Sequence, residues 1–187
     1  MNFWLTLLCA AAVIVLFPYI RCFFKRLECA AKIKKLCRGN RCTLHPTHPL
    51  WFLGGKRTKK CDVYLETEST VFAVKLFGMR RRLSTLVITD RGEYITRSYV
   101  AFISHGGGFS IPINGKPRLL PKYDFRYRYK DEWETKSPRN ILLVNPVSMD
   151  IRRLTSGKDI ILGAGEVMFG MEIFSLTRFL GEAEASQ

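Results

Sequence analysis

Residues 61–78 read CDVYLETESTVFAVKLFG, and their pattern decides the fold class. Val63 and Leu65 alternate with Asp62, Tyr64 and Glu66, the period of two that marks a strand. Val71, Ala73 and Lys75 then alternate with Phe72, Val74 and Leu76. Glu68-Ser69-Thr70 between the two runs suits a hairpin turn.

The same signals continue downstream. STLVITD (84–90) and EYITRSYVAFIS (93–104) form a second hairpin around Asp90-Arg91-Gly92, a strong turn cue. YDFRYRYK (123–130) sets Tyr123, Phe125, Tyr127 and Tyr129 against Asp124, Arg126, Arg128 and Lys130. That predicts a half-buried strand with one aromatic and one basic face. NILLVNPV, KDIILGAG and EVMFGMEIFSL add strand-like runs. Only SLTRFLGEAE near the C-terminus reads as a helix, with Ser175 as its N-cap. No three-turn amphipathic helix follows residue 40. The expectation for residues 61–187 is a mainly β domain, an antiparallel sandwich or open barrel with a short C-terminal helix.

Upstream the chain changes character. Phe3 to Ile20, FWLTLLCAAAVIVLFPYI, is eighteen residues without a charge. As a helix it spans roughly 27 Å, close to a hydrocarbon core. Phe23 and Phe24 extend it, Arg21 snorkels, and Trp4 and Tyr19 lie near the two ends. A cleaved signal peptide would carry a basic n-region, a shorter apolar run and a small-residue cleavage site, none of which is present. Residues 1–24 are therefore expected as a transmembrane anchor in a single-pass protein.

Net charge is +14, and its distribution orients that anchor. Residues 21–60 hold twelve Lys/Arg against one acid, Glu28, while residues 61–187 hold eighteen against fifteen. Basic residues flanking a span stay cytosolic, so the C-terminal domain is expected on the cytosolic side. The fold itself is only mildly basic, which argues against nucleic acid as a partner. RCFFKRLECAAKIKKLCRGN reads as a helix continuing to about Cys37, with Gly39-Asn40 as its stop. Residues 25–60 are expected as a basic juxtamembrane helix and linker. Lys25, Arg26, Lys32, Lys34 and Lys35 are the candidates for contact with anionic headgroups of the lipid bilayer. Cys22 is placed for S-acylation.

All six cysteines fall in the first 61 residues, which fits a reducing compartment better than a disulfide framework. Cys37, Cys42, His45 and His48 offer zinc-type donors. They are crowded into twelve residues with Pro46 and Pro49, unlike the two separated pairs of a structural site. His105-Gly106-Gly107-Gly108 lacks the nucleophile elbow that an oxyanion loop serves. Gly163-x-Gly165 lacks a third glycine and a following helix. Arg80-Arg81-Arg82 is a basic turn suited to phosphate contact. Asp62, Glu66, Glu68 and Lys75 on adjacent strands loosely resemble the metal-binding hairpin of PD-(D/E)xK nucleases. Ala73 stands where that chemistry needs an acid.

No catalytic, cofactor or metal residue is assigned. The expected function is a membrane-tethered interaction module that binds a protein partner or itself, through Tyr123, Phe125, Tyr127 and Tyr129. The alternative is an enzyme or nucleic-acid-processing protein built on the nuclease-like hairpin.

Overall fold

A computed structural model of the chain describes residues 3–39, 42–53, 59–78, 84–104, 107–126, 131–145, 150–163 and 165–186. It opens with one helix, α1 (Phe3–Leu36), which ends in a 3-10 turn at Cys37–Gly39. The strands follow: β1 (Thr43–Pro46), β2 (Val63–Glu66), β3 (Thr70–Phe77), β4 (Ser84–Thr89), β5 (Glu93–Ser104) and β6 (Gly107–Asn114). Then come β7 (Arg118–Leu119), β8 (Ser137–Val144), β9 (Ile151–Thr155), β10 (Lys158–Ile161), β11 (Val167–Met168) and β12 (Met171–Ser175). The C-terminal helix is α2 (Leu176–Ala185). Ser175 occupies its N-cap, though its side chain makes no capping hydrogen bond.

The strands make two sheets. The first has the order β1-β2-β3-β8-β12-β11; the second runs β10-β9-β4-β5-β6, with β7 beside β5. Pro46 and Pro112 fall on the outermost strands, where a missing N–H costs no ladder bond. The period of two read from the sequence sorts β3 as expected. Val71, Ala73 and Phe77 enter a core shared with Leu86, Ile88 and Tyr94 of the second sheet. Phe72, Val74 and Leu76 enter a core on the other face, with Cys29, Ala30 and Ile33 of α1 and Phe179 and Ala183 of α2. The molecule therefore has three layers: helices, first sheet, second sheet. Every residue of β3 is buried, because both of its faces are covered.

Three expectations need correction. The sheets are mixed rather than antiparallel: β3–β8, β8–β12 and β4–β9 pair in parallel. The chain leaves the first sheet after β3, builds β4–β7, returns as β8, leaves again for β9–β10, and returns as β11–β12. Such excursions are the long crossovers that parallel neighbours require, and local alternation carries no trace of them. Second, residues 123–126 are not a strand; they make a single bridge, Lys60 to Asp124, while residues 127–130 lie outside the described residues. Third, the stretch 25–60, read as a basic juxtamembrane helix and linker, also supplies core residues. Cys29, Ala30, Ile33, Cys42 and Trp51 are buried under the first sheet, and β1 extends it.

The continuing helix read from residues 21–38 is present, and it is unbroken from the apolar run onward. Among the described residues no helix is long and apolar enough to cross a membrane. Nine of the eighteen side chains of residues 3–20 lie outside the described set. The other nine are all exposed, including Trp4, which is 72% exposed.

Candidate functional site

Segment 119–126 crosses the gap between the sheets and stitches both. Leu120 N–H donates to the Gly92 carbonyl of the β4–β5 turn at 2.7 Å. Asp124 N–H donates to Lys59 O at 2.7 Å, and Cys61 N–H to Asp124 O at 3.2 Å, on the approach to β2. The aromatic–charged alternation of this segment is thus satisfied without a sheet. Phe125 is buried in the inter-sheet core, and Tyr123 packs against that core while remaining half-buried. Tyr127 and Tyr129 lie outside the described residues.

Beside this segment lies a cleft of about 1070 Å³. Its apolar walls include Leu119, Leu120, Tyr123, Phe169 and Met171. Among the described residues, Lys59, Arg91, Lys122 and Arg126 add four cations and Asp124 is the one acid. That acid is held by Arg126, at 3.0 and 3.3 Å. Among the described residues, Lys59, Arg91 and Lys122 have no ion-pair partner. A mostly apolar concavity with a few placed charges is the usual form of a small-molecule site.

The far wall is the tight turn joining β11 to β12. Phe169 (φ 54°) and Gly170 (φ 74°) both sit in the left-handed region, as a two-residue hairpin requires. Glycine takes that conformation freely. A phenylalanine there is strained by roughly 1–3 kcal/mol. The strain holds a half-exposed ring at the cleft wall: a Cβ at Gly92 would lie 3.7 Å from it. Phe169 also lines a neighbouring cavity of about 170 Å³ with Asp90 and Arg153, so its ring separates the two spaces.

Beneath Tyr123 sits the pair that loosely resembled a nuclease hairpin. Lys75 Nζ donates to Asp62 Oδ1 at 2.8 Å and to Lys60 O at 2.9 Å, and lies 5.5 Å from the Tyr123 ring centre. Asp62 Oδ2 accepts the Leu76 N–H at 2.9 Å. Both side chains are essentially fully buried. Burial pushes the Asp62 carboxyl upward, against the pull of Lys75 and the Leu76 amide. Burial likewise raises Tyr123 to about 12, with Tyr94 and Asp62 adding to the effect. The carboxylate is thus committed to an internal pair rather than offered to a metal.

A second polar cluster flanks β1. Lys136 Nζ and His45 Nε2 each reach Glu66, both at 2.9 Å. Burial opposes the charge there, but those hydrogen bonds outweigh it and hold Glu66 at about 2. His45 is thereby engaged away from Cys37 and Cys42, whose thiols neighbour one another. Among the described residues no three His, Cys, Asp or Glu side chains converge as a metal site.

The basic candidates divide by role. Lys25 and Lys32 both pair with Glu28, at 2.6 and 2.9 Å. Arg26 donates to the Leu53 carbonyl and rests on Gly78, where a Cβ would lie 2.5 Å from its guanidinium. Lys34 and Lys35 are exposed. Arg80–Arg82 lie outside the described residues. Sequence reading missed Phe169, Arg91, Lys122 and Lys59, which are far apart in the chain. The one local signal was a Phe-Gly turn where Asn-Gly would be ordinary. No family model, curated protein or solved structure matches this chain.

Proposed function

We propose that the chain is a single-pass membrane protein whose β-rich domain is a binding module fixed at the cytosolic face of a bilayer. One observation carries this: α1 is a single helix with two unlike halves. In residues 3–20 the described side chains are exposed, and Leu7, Leu8, Val13, Val15, Leu16 and Phe17 are more than half so. From Cys22 onward its inner side is core. An apolar surface of that extent, left unpartnered in water, marks an interaction or membrane surface. The uncharged eighteen-residue run matches a hydrocarbon core in length.

The domain is docked on the helix rather than tethered by a flexible stalk. Asn145 Nδ2 donates to Lys25 O at 3.0 Å, and Arg26 clasps the Leu53 carbonyl. At 1.5 Å per residue, Lys25 lies about 7 Å beyond Ile20, and Lys34 about 21 Å beyond it. Screening at physiological salt acts over about 8 Å. In this reading Arg21, Lys25 and Arg26 meet the headgroups, while Lys34 and Lys35 stand clear of them. The cleft is the binding surface of the module. Among the described residues its wall offers neither a His nor a Cys nucleophile, and the one carboxylate there is paired.

Alkaline extraction of native membranes and protease protection test the topology together. The protein should stay in the pellet, and a C-terminal tag should resist protease added outside intact cells. Release into the supernatant, or digestion of the tag from outside, overturns the reading.

A further inference from the structure

From the cleft's chemistry we infer that its occupant is a single-chain amphiphile with an anionic head, a fatty acid or a monoalkyl phosphate. This rests on reading the cleft as the binding surface of the module, not on the anchor. Four cations border the cleft, three of them without an ion-pair partner among the described residues, against one neutralised acid. An anion placed there meets Arg91 and Lys122, whose guanidinium and ammonium groups suit carboxylate or phosphate oxygens. A neutral or cationic ligand would make no ion pair with Lys59, Arg91 or Lys122.

The walls set the rest of the ligand. Leu119, at 73% exposed, and Phe169, at 50% exposed, present bare apolar surface in the same concavity. A site of about 1070 Å³ slightly exceeds the usual range for small-molecule pockets, so it has room for a long chain as well as a head. Each methylene brought out of water there contributes about 0.8 kcal/mol. The strained Phe169 backbone is the third observation. Backbone strain persists where the surrounding structure holds it, and it clusters at ligand clamps. Here it keeps an aromatic ring where an apolar chain would lie.

Position argues for one chain rather than two. Asn140 at the cleft is five residues before Asn145, where β8's end meets α1, about 16 Å of strand away. A two-chain lipid would have to leave the bilayer to reach it. A single-chain amphiphile has the monomer solubility to arrive through water.

The test uses the full chain in lipid nanodiscs with three photoactivatable sixteen-carbon probes: the free acid, the monoalkyl phosphate, and the neutral methyl ester of the acid. Cross-linked peptides are identified by mass spectrometry. The acid or the phosphate should label residues 119–126 and 167–171, and the stronger of the two identifies the head. The ester should label them about tenfold less, the value of roughly two exposed ion pairs. Arg91→Glu with Lys122→Glu should cause a similar loss. Phe169→Gly should also reduce labelling without lowering the unfolding midpoint, since it relieves the backbone. Labelling of α1 in the same samples reports the anchor independently. Equal labelling by the ester, indifference to the charge reversals, or labels confined to α1 would each overturn the inference. Absence of α1 labels alone would instead count against the anchor.

Discussion

At position 75 a lysine is sealed inside the protein, and the cost of that is met by geometry. Its ammonium has Asp62, the Lys60 carbonyl and the Tyr123 ring around it. Removing one partner of such a pair leaves an uncompensated buried charge. Lys75→Met should destabilise the fold by about 3–5 kcal/mol in urea unfolding. Adding Asp62→Asn should recover most of that, because the amide oxygen still accepts the Leu76 N–H while no charge remains. If the double variant is as unstable as the single one, the pair is not the source of the loss. Glu66 gives a pH prediction. Its folded pKa is lowered to about 2 from 4.5, so its contribution is present above about pH 4.5 and lost as pH falls towards 2. Glu66→Gln should flatten that part of the acid limb of a stability–pH profile. An unchanged limb would place the acid sensitivity elsewhere. Neither role was readable from the chain, because Lys136 is seventy positions from Glu66 and Lys60 lends a backbone atom rather than a side chain.

At the scale of elements, α1 and α2 do what a second apolar sheet face demands. Phe179 is fully buried, with its ring edge-on to Phe72 at 5.6 Å and 6.3 Å from Phe174. Arg139 ties the same layer together through Glu172 and Glu182. Phe179→Ala should cost about 3–5 kcal/mol by urea unfolding, and a loss below 1 would mean α2 is peripheral. The helix was legible from its sequence, but its importance was not, because SLTRFLGEAE shows amphipathicity without showing the sheet it covers. Hairpins were legible for a complementary reason. β2–β3 and β4–β5 are joined by short turns whose residues declare themselves, and both pair as expected. The segment at 123–126 misled because alternation reports one buried face and says nothing of hydrogen-bond partners.

For the whole molecule, the interleaving of two sheets predicts single cooperative unfolding. β8 lies between β3 and β12 while contributing to both cores, so neither core survives loss of the other. Trp51 belongs to the outer core and Trp133 to the inner one. In each variant that keeps only one of them, Trp fluorescence and far-UV circular dichroism should report the same unfolding midpoint, and two separated transitions would refute a single unit. Many of the pairings are between distant segments, so refolding belongs in the millisecond-to-second range or slower. The sequence by itself determined the mainly β character, the two local hairpins, the continuous helix into residue 36, the C-terminal helix and the placement of charge beside the apolar run. Each of these is written in neighbouring residues, through periodicity, turn chemistry or composition. Only the tertiary structure decided the parallel pairings, the burial of Cys29, Ala30, Ile33, Cys42 and Trp51 within the domain, and the cleft. Those depend on which distant segments share a layer, and the free energy that selects among such arrangements comes from covering both faces of one sheet at once.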